Sequence, residues 1–338
     1  MEGTIMRRIF KPGDYLKKFL GLVLLLGFIS IGAIGGCNND GGGDSVSIGI
    51  GPAFKSLFGI AVETNDNLVV VDVDQRAVLR VDPDSGDRTI VSDVSMGSGP
   101  VFIEPLGIAI EADGSLLVTD IVLNAVLRVD PDSGDRTIVS DASTGSGPDI
   151  EPRSIAVESD GSLVVADFEV NGVVRVDPDS GDRTIVSDAS MGSGPVFNEA
   201  FGIAIEADGS LVVLDFPLAV LRVDPDSGDR TIVSDANTGS GPRFDLPSGI
   251  AVEDDGSMLV VDFGLKAVLR VDPDSGDRTI VSDASMGSGP NFRSPQGIAV
   301  EADGSLVVVD NGLKAVLRVD PVSGDRTVIS SNTGTSQP

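Results

Sequence analysis

The thirteen residues VDPDSGDRTIVSD occupy positions 81–93 and recur unchanged at 129–141, 176–188, 223–235 and 271–283, with an altered copy, VDPVSGDRTVISS, at 319–331. Their leading aspartates, Asp82, Asp130, Asp177, Asp224, Asp272 and Asp320, stand 48, 47, 47, 48 and 48 residues apart. A fixed period of this length, filled with short apolar runs, restricts the fold to a propeller or a solenoid. Within one unit, residues 107–141, four β-rich runs follow one another: GIAIE, SLLVTD, NAVLRVD and RTIVS. Asp-Gly, a short variable loop and Asp-Pro-Asp-Ser-Gly separate them, and no run has the length or phase of a helix. Four antiparallel strands per unit and six units predict an all-β chain, a six-bladed β-propeller over residues 49–331 with 332–338 as a disordered tail. A solenoid would not need two tight hairpins in every repeat. The way the ring closes is left open, with Ser45–Ile48 as one source of a short closing strand.

The segment from Pro295 to Asp320 reads P-x-G-I-A-V-x-x-D-G-x-L-x-V-x-D followed by A-V-x-R-V-D. It resembles the NHL repeat and, more broadly, the six-bladed propellers of the gluconolactonase/regucalcin and streptogramin-lyase group. The resemblance covers nearly all of residues 49–331 and implies the fold; it implies no single function, because propellers host enzymes and binding modules alike. Streptogramin lyases use a histidine base, and this chain contains no His. The gluconolactonase group resembles a single-cation design, with Glu, Asn and Asp around the channel and an early E-G-P-type motif. The aligned opening here is Gly51-Pro52-Ala53-Phe54, without that Glu. Neither chemistry carries over residue by residue.

Composition narrows the chemistry further. A formal net charge of −28 offers no basic patch to displace counterions from phosphates, so no nucleic-acid partner is expected. Without His, the commonest general base near neutral pH and the commonest metal-ligating nitrogen are both missing. A single Cys excludes disulfides within the chain, Cys-based zinc sites and Cys–His nucleophile pairs. Carboxylates, hydroxyls, Lys, Arg, the lone Tyr15 or a hard cation on oxygen ligands would have to do any chemistry.

That Cys also gives an address. Arg7, Arg8, Lys11, Lys17 and Lys18 precede the apolar run Phe19–Ile34, which ends in Gly35-Gly36-Cys37. A basic region, an apolar region and small residues before a cut site describe a secretory signal over residues 1–36. Ile34-Gly35-Gly36-Cys37 resembles the bacterial lipobox, which implies lipidation of Cys37 and a lipid-anchored, extracytoplasmic protein of the bacterial cell envelope. Asn38 is not the aspartate linked to inner-membrane retention, which favours the outer membrane. Residues 37–48 then read as the lipidated Cys and a flexible tether.

The repeated DPDSGD stretch invites comparison with a calcium loop, which needs oxygens at positions 1, 3 and 5 and a carboxylate at 12. Counted from Asp82, position 12 is Asp93, at the far end of the extended run Arg88–Ser92 and roughly 20 Å from Asp87. One ion cannot bridge that gap, so the stretch reads as a turn: Asp82 accepts backbone N–H groups, Pro83 presets φ and Gly86 supplies a left-handed position. No cofactor is expected, and calcium as a structural ion stays open. Three further expectations concern charge. The hairpin loops EADGS and DPDSGD emerge on one face and make it acidic, while the variable loops make the other face mixed. Asp72–Arg80, Asp120–Arg128, Asp167–Arg175, Asp215–Arg222, Asp262–Arg270 and Asp310–Arg318 are expected to pair between packed blades. Glu63, Glu111, Glu158, Glu206, Glu253 and Glu301, ending the innermost strands, are candidates for a cation-attracting ring at the acidic mouth.

A single site on a symmetric scaffold requires asymmetry. The inner strands, read as GIAVE, GIAIE, SIAVE, GIAIE, GIAVE and GIAVE, are nearly uniform, with Ser154 the departure. Variation concentrates in the loops of the mixed face, whose Phe54, Phe102, Phe197, Phe244 and Phe292 read as packing residues. Loops on a rigid scaffold are where recognition resides, which selects Glu104, Arg153, Glu169, Asn171, Arg243, Asp245, Lys266, Arg293 and Lys314 as the candidate binding face. The expectation is a binding or scaffolding protein with a protein or glycan partner and a membrane contact through the anchor. The alternative is a cation-dependent hydrolase or lactonase with carboxylate ligands at the axial channel.

Overall fold

A computed structural model describes residues 49–332. The signal, the Cys37 anchor, the tether and Ser45–Ile48 lie outside the described residues. Twenty-four strands form six four-stranded antiparallel sheets, each made of consecutive strands, and no helix occurs among the described residues. In the first blade, β1 (Leu57–Val62), β2 (Leu68–Asp72), β3 (Ala77–Val81) and β4 (Arg88–Ser92) run from the axis outward. The innermost strands of the later blades are β5 (Pro105–Ile110), β9 (Pro152–Val157), β13 (Ala200–Ile205), β17 (Pro247–Val252) and β21 (Pro295–Val300). Each packs on its neighbours in order and β21 returns to β1, so the ring is the six-bladed β-propeller read from the repeats.

Strand composition follows from burial on two sides. β2 is LVVVD, buried at every position. Its residues alternate between two interfaces: Leu68 and Val70 pack toward blade six with Val307, Val309 and Val316, while Val69 and Val71 pack toward blade two with Val118 and Leu127. A strand sandwiched between blades therefore reads as a continuous apolar run. Small β-branched residues fill these gaps, and most linker phenylalanines sit in them; Phe54, Phe102, Phe197, Phe244 and Phe292 are all buried.

The repeated motif supplies the polar mortar. Asp82 Oδ1 accepts from the N–H groups of Asp84 and Ser85 (3.0 and 2.8 Å), Gly86 N donates to Asp82 O (2.9 Å), and Gly86 has φ of 74°. The same bonds recur in the sixth copy, where Val322 replaces Asp84. The stretch is a turn. The arginine after it, for example Arg136, reaches back to the preceding blade, donating to Ser92 Oγ (2.5 Å), Asp93 O (2.8 Å) and Pro100 O (2.5 Å) beside the Phe102 ring. Carbonyls and a hydroxyl thus satisfy a buried cation without a carboxylate, as they do around Arg183, Arg230, Arg278 and Arg326.

The expected aspartate–arginine pairs are corrected. Arg80 faces Val69 in the β2–β3 ladder, whereas Asp72 faces Ala77. Three residues of extended strand, about 10 Å, separate the two. Arg80 instead clasps Glu63, and Arg128, Arg175, Arg222, Arg270 and Arg318 clasp Glu111, Glu158, Glu206, Glu253 and Glu301, each by two bonds of 2.5–2.7 Å within its own blade. Most of these arginines also reach a proline carbonyl of the next blade, as Arg128 does at Pro178 (3.4 Å). Asp72, Asp120, Asp167, Asp215, Asp262 and Asp310 have a different task. Each is buried and accepts N–H groups of the incoming linker; Asp72, for instance, accepts from Lys55 (2.6 Å) and Ser56 (3.0 Å), and from Gln75 (3.0 Å) in the turn that follows it. The carboxylate ring is corrected with them, because each of its six glutamates is already neutralised by a two-pronged arginine.

Closure needs no shared strand among the described residues. Arg88 donates to Ser330 Oγ (2.6 Å) as its counterparts do between consecutive blades. Asn332, placed with the tail in the sequence reading, clamps the seam: its Oδ1 accepts from Phe54 N and its Nδ2 donates to Phe54 O, both at 2.6 Å.

Candidate functional site at the axial mouth

The innermost strands carry a β-bulge near their start. In β9, Ser154 faces Ala166 while Pro152 faces Asp167, leaving Arg153 as the extra residue; Phe201 and Ser248 occupy the same place in β13 and β17. A bulge re-aims a side chain, and here it turns one residue of each blade toward the axis. The ring so formed is Phe58, Leu106, Arg153, Phe201, Ser248 and Gln296, and it lines a cavity of about 130 Å³. Beneath it come the Gly or Ser and then the Ile of each copy. The glycines permit close approach of neighbouring strands: a Cβ on Gly297 would lie 2.3 Å from Phe58 O.

This ring breaks the symmetry. The copies LFGIAV, PLGIAI, PRSIAV, AFGIAI, PSGIAV and PQGIAV differ most at their second letter, one residue before the window in which the strands look uniform. Of its members the sequence reading selected Arg153 alone. The others, together with Glu199, were missed, and the signal was the copy-to-copy variation at that register. Phe58 and Phe201, from opposite blades, meet with centroids 6.2 Å apart.

Arg153 is 5% exposed. Its Nη2 donates to Glu151 Oε1 (2.7 Å), and its guanidinium lies 4.7 Å from the Phe168 ring centre. Its Nε and Nη1 are buried and have no hydrogen-bond partner in the protein, and the same holds for Gln296 Oε1 and Glu199 Oε1. Burial pushes Arg153 below its ordinary pKa, against the raising influence of Glu151, Glu199, Asp167 and Glu104. Glu199 moves up to about 7, by burial first, with Arg153 opposing and Asp215 and Glu151 reinforcing. Burial also raises Asp167 to about 6 and lifts Glu104. Carboxyls rise together where positive charge is scarce and water is excluded.

The other selected residues scatter. Glu104 lies half-buried at this mouth, within the field of Arg153. Glu169 lines a separate cavity of about 340 Å³ with Asp149 and Glu151. Asn171 is spent between blades, donating to Phe197 O (3.1 Å) and accepting from Ala200 N (3.3 Å), and Lys314 bonds Asn311 Oδ1 (2.7 Å) and Lys55 O. Arg243, Asp245, Lys266 and Arg293 are exposed on loops around the site.

A six-bladed propeller with one asymmetric polar pocket on its axis is the class that this fold and site define. The family model described as SMP-30/gluconolactonase/LRE-like region matches residues 59–284, and the chain belongs to that family. Solved structures with the same fold include a catalytically inactive virginiamycin B lyase from Staphylococcus aureus with quinupristin (20% identity, TM-score 0.57, covering 84% of this chain and 87% of that one). A gluconolactonase from Xanthomonas campestris matches at 16% identity and TM-score 0.58, over 79% of this chain and 86% of the other. An auxiliary nutrient binding protein from Bacteroides thetaiotaomicron matches at 14% and 0.60, over 84% and 70%. The curated proteins give no match.

The resemblance to gluconolactonases implies a cation held by acidic and amide ligands at the channel, and the residues present do not fit one. The axial cavity is lined by the buried guanidinium of Arg153, which repels a cation. Among the described residues, no group of three or more His, Cys, Asp or Glu side chains is placed to hold a metal ion.

Proposed function

We propose that this chain is a lipid-anchored, extracytoplasmic binding protein that takes a small polar solute in the axial pocket of its mixed face. The single observation behind this reading is Arg153: a buried guanidinium lining a cavity, with two nitrogens that no protein group satisfies. Leaving such donors unmet costs about 1–3 kcal/mol each, a cost that a solute oxygen would remove. The lining Phe58, Leu106 and Phe201 give the apolar wall and few polar groups typical of a solute site. A hydrolase reading is weaker, because no carboxylate lines the pocket to act as a base and Arg153 is its one charged side chain.

Calorimetric melting of the full chain, wild type and Arg153→Met, in 10 mM-scale acetate, glycine, alanine or glucose tests the reading. At least one solute is expected to raise the wild-type midpoint and leave the variant unmoved. No wild-type shift with any of them, or an equal shift in the variant, refutes it. For the anchor, radiolabelled fatty acid supplied to cells should label the wild-type chain and not Cys37→Ser; equal labelling of both refutes lipidation there.

A further inference from the structure

The axial mouth has two orphaned donors and two orphaned acceptors, and they come from different blades. Arg153 belongs to the third blade. Gln296, fully buried, belongs to the sixth, which lies across the axis, and its Nε2 is already committed to Ser294 Oγ (3.1 Å). Gln296, one of the residues lining the cavity, keeps an unpartnered carbonyl oxygen and one amide N–H beyond its bond to Ser294. Glu199, on the fourth blade beside Arg153, adds a buried oxygen of the same kind. A ligand that satisfies this arrangement must accept hydrogen bonds at one end and donate them at the other.

Charge decides which ligand. Three glutamates from consecutive blades, Glu104, Glu151 and Glu199, act on the one Arg153, and Glu151 already engages one of its nitrogens. A plain anion would enter a mouth with a carboxylate surplus, and a plain cation would meet the unpartnered guanidinium nitrogens. A molecule carrying both charges relieves each side: a carboxylate on Arg153, and an ammonium that meets the Gln296 oxygen and the negative field of Glu199. The cavity of about 130 Å³ has the volume of roughly four waters. That admits a molecule of the size of glycine or alanine.

We infer that the axial pocket binds a small amino acid as its zwitterion, with the carboxylate held by Arg153 and the ammonium by Gln296 in the negative field of Glu199. This rests on the axial-site reading above and narrows it to a ligand class. It also carries a proton linkage. The groups acting on Glu199 are Arg153, Asp215 and Glu151, and its carboxyl loses its proton near pH 7 in the free protein. An ammonium favours the ionised form. With the competent fraction rising from about a tenth at pH 6 to about nine tenths at pH 8, apparent affinity rises about tenfold over that interval.

The test is isothermal titration of the full chain with glycine, alanine, propionate and ethylamine at pH 6 and pH 8, in wild type, Arg153→Met, Gln296→Leu and Glu199→Gln, each first confirmed as folded by its melting curve. Glycine or alanine is expected to bind at least tenfold more tightly than propionate or ethylamine, and more tightly at pH 8. Arg153→Met should abolish that binding, Gln296→Leu should weaken it, and Glu199→Gln should weaken it and flatten the pH dependence. If propionate binds as well as alanine and Arg153→Met abolishes both, the zwitterion inference falls while the axial site stands. If none of the four binds wild type, or Arg153→Met binds alanine unchanged, the zwitterion inference falls at this site together with Arg153 as its anchor.

Discussion

Replacing Glu199 by Gln removes a charge and keeps the shape, so its effect on stability isolates the electrostatics of the mouth. In the folded chain Glu199 is raised from 4.5 to about 7. A carboxyl with a folded pKa above its unfolded one binds more protons when folded. Its stabilising contribution is therefore complete below about pH 4.5 and is lost as pH climbs through 7. At about 1.4 kcal/mol per pH unit, the whole displacement would amount to about 3 kcal/mol. Glu199 is half-buried and water screens part of it, so about 1–2 kcal/mol is the expected size. Gln is neutral at every pH and mimics the protonated acid. Glu199→Gln should match wild type at pH 5 and be more stable at pH 8, by about 2–4 °C in midpoint for a chain of this length. Asp167, raised to about 6, titrates in both proteins and cancels in the difference. Calorimetric melting at the two pH values gives the answer. An equal difference at both, or a loss of stability at pH 8, would refute the reasoning; a loss would mean that the ionised Glu199 stabilises Arg153 by more than its own burial costs.

The seam between the sixth and first blades gives a second prediction: Asn332→Ala removes both bonds to Phe54 and should lower the midpoint by about 4–6 °C, from about 1 kcal/mol or more per bond. A shift under about 1 °C in a thermal melt would show that Arg88 and Ser330 close the ring unaided. Gly297→Ala places a Cβ 2.3 Å from Phe58 O, backbone that cannot yield cheaply, and should cost about 3 kcal/mol or more in urea unfolding; wild-type stability would mean that the two innermost strands can separate at no cost. Calcium added to the chelated protein should leave its melt unchanged, because the repeated aspartates are already turn acceptors; about six equivalent sites in a titration would overturn the turn assignment.

The architecture was legible because it is written six times. A period of 47–48, two hairpin signals per unit and β2-type runs largely apolar up to a closing Asp leave few alternatives, and the turn at Asp82 followed from Asp82, Pro83, Gly86 and the span to Asp93. Register was legible too, and went unused. Counting back across the β2–β3 turn puts Ala77, not Arg80, opposite Asp72, and places Arg80 level with the end of β1 that carries Glu63. The ring at the axial mouth was not legible for a related reason. The criterion that function sits where the copies disagree was applied one residue too late along the innermost strand to reach this ring. A bulge there moves the informative position to Phe58, Leu106, Arg153, Phe201, Ser248 and Gln296. Bulges leave little mark in an apolar strand, and no motif search finds five residue types spread over six copies of one register. Blade-by-blade comparison does, and it isolates one buried arginine, the single charged member of that ring. The other five blades pack without an arginine at this register, so assembly of the ring does not require the unmet donors of Arg153.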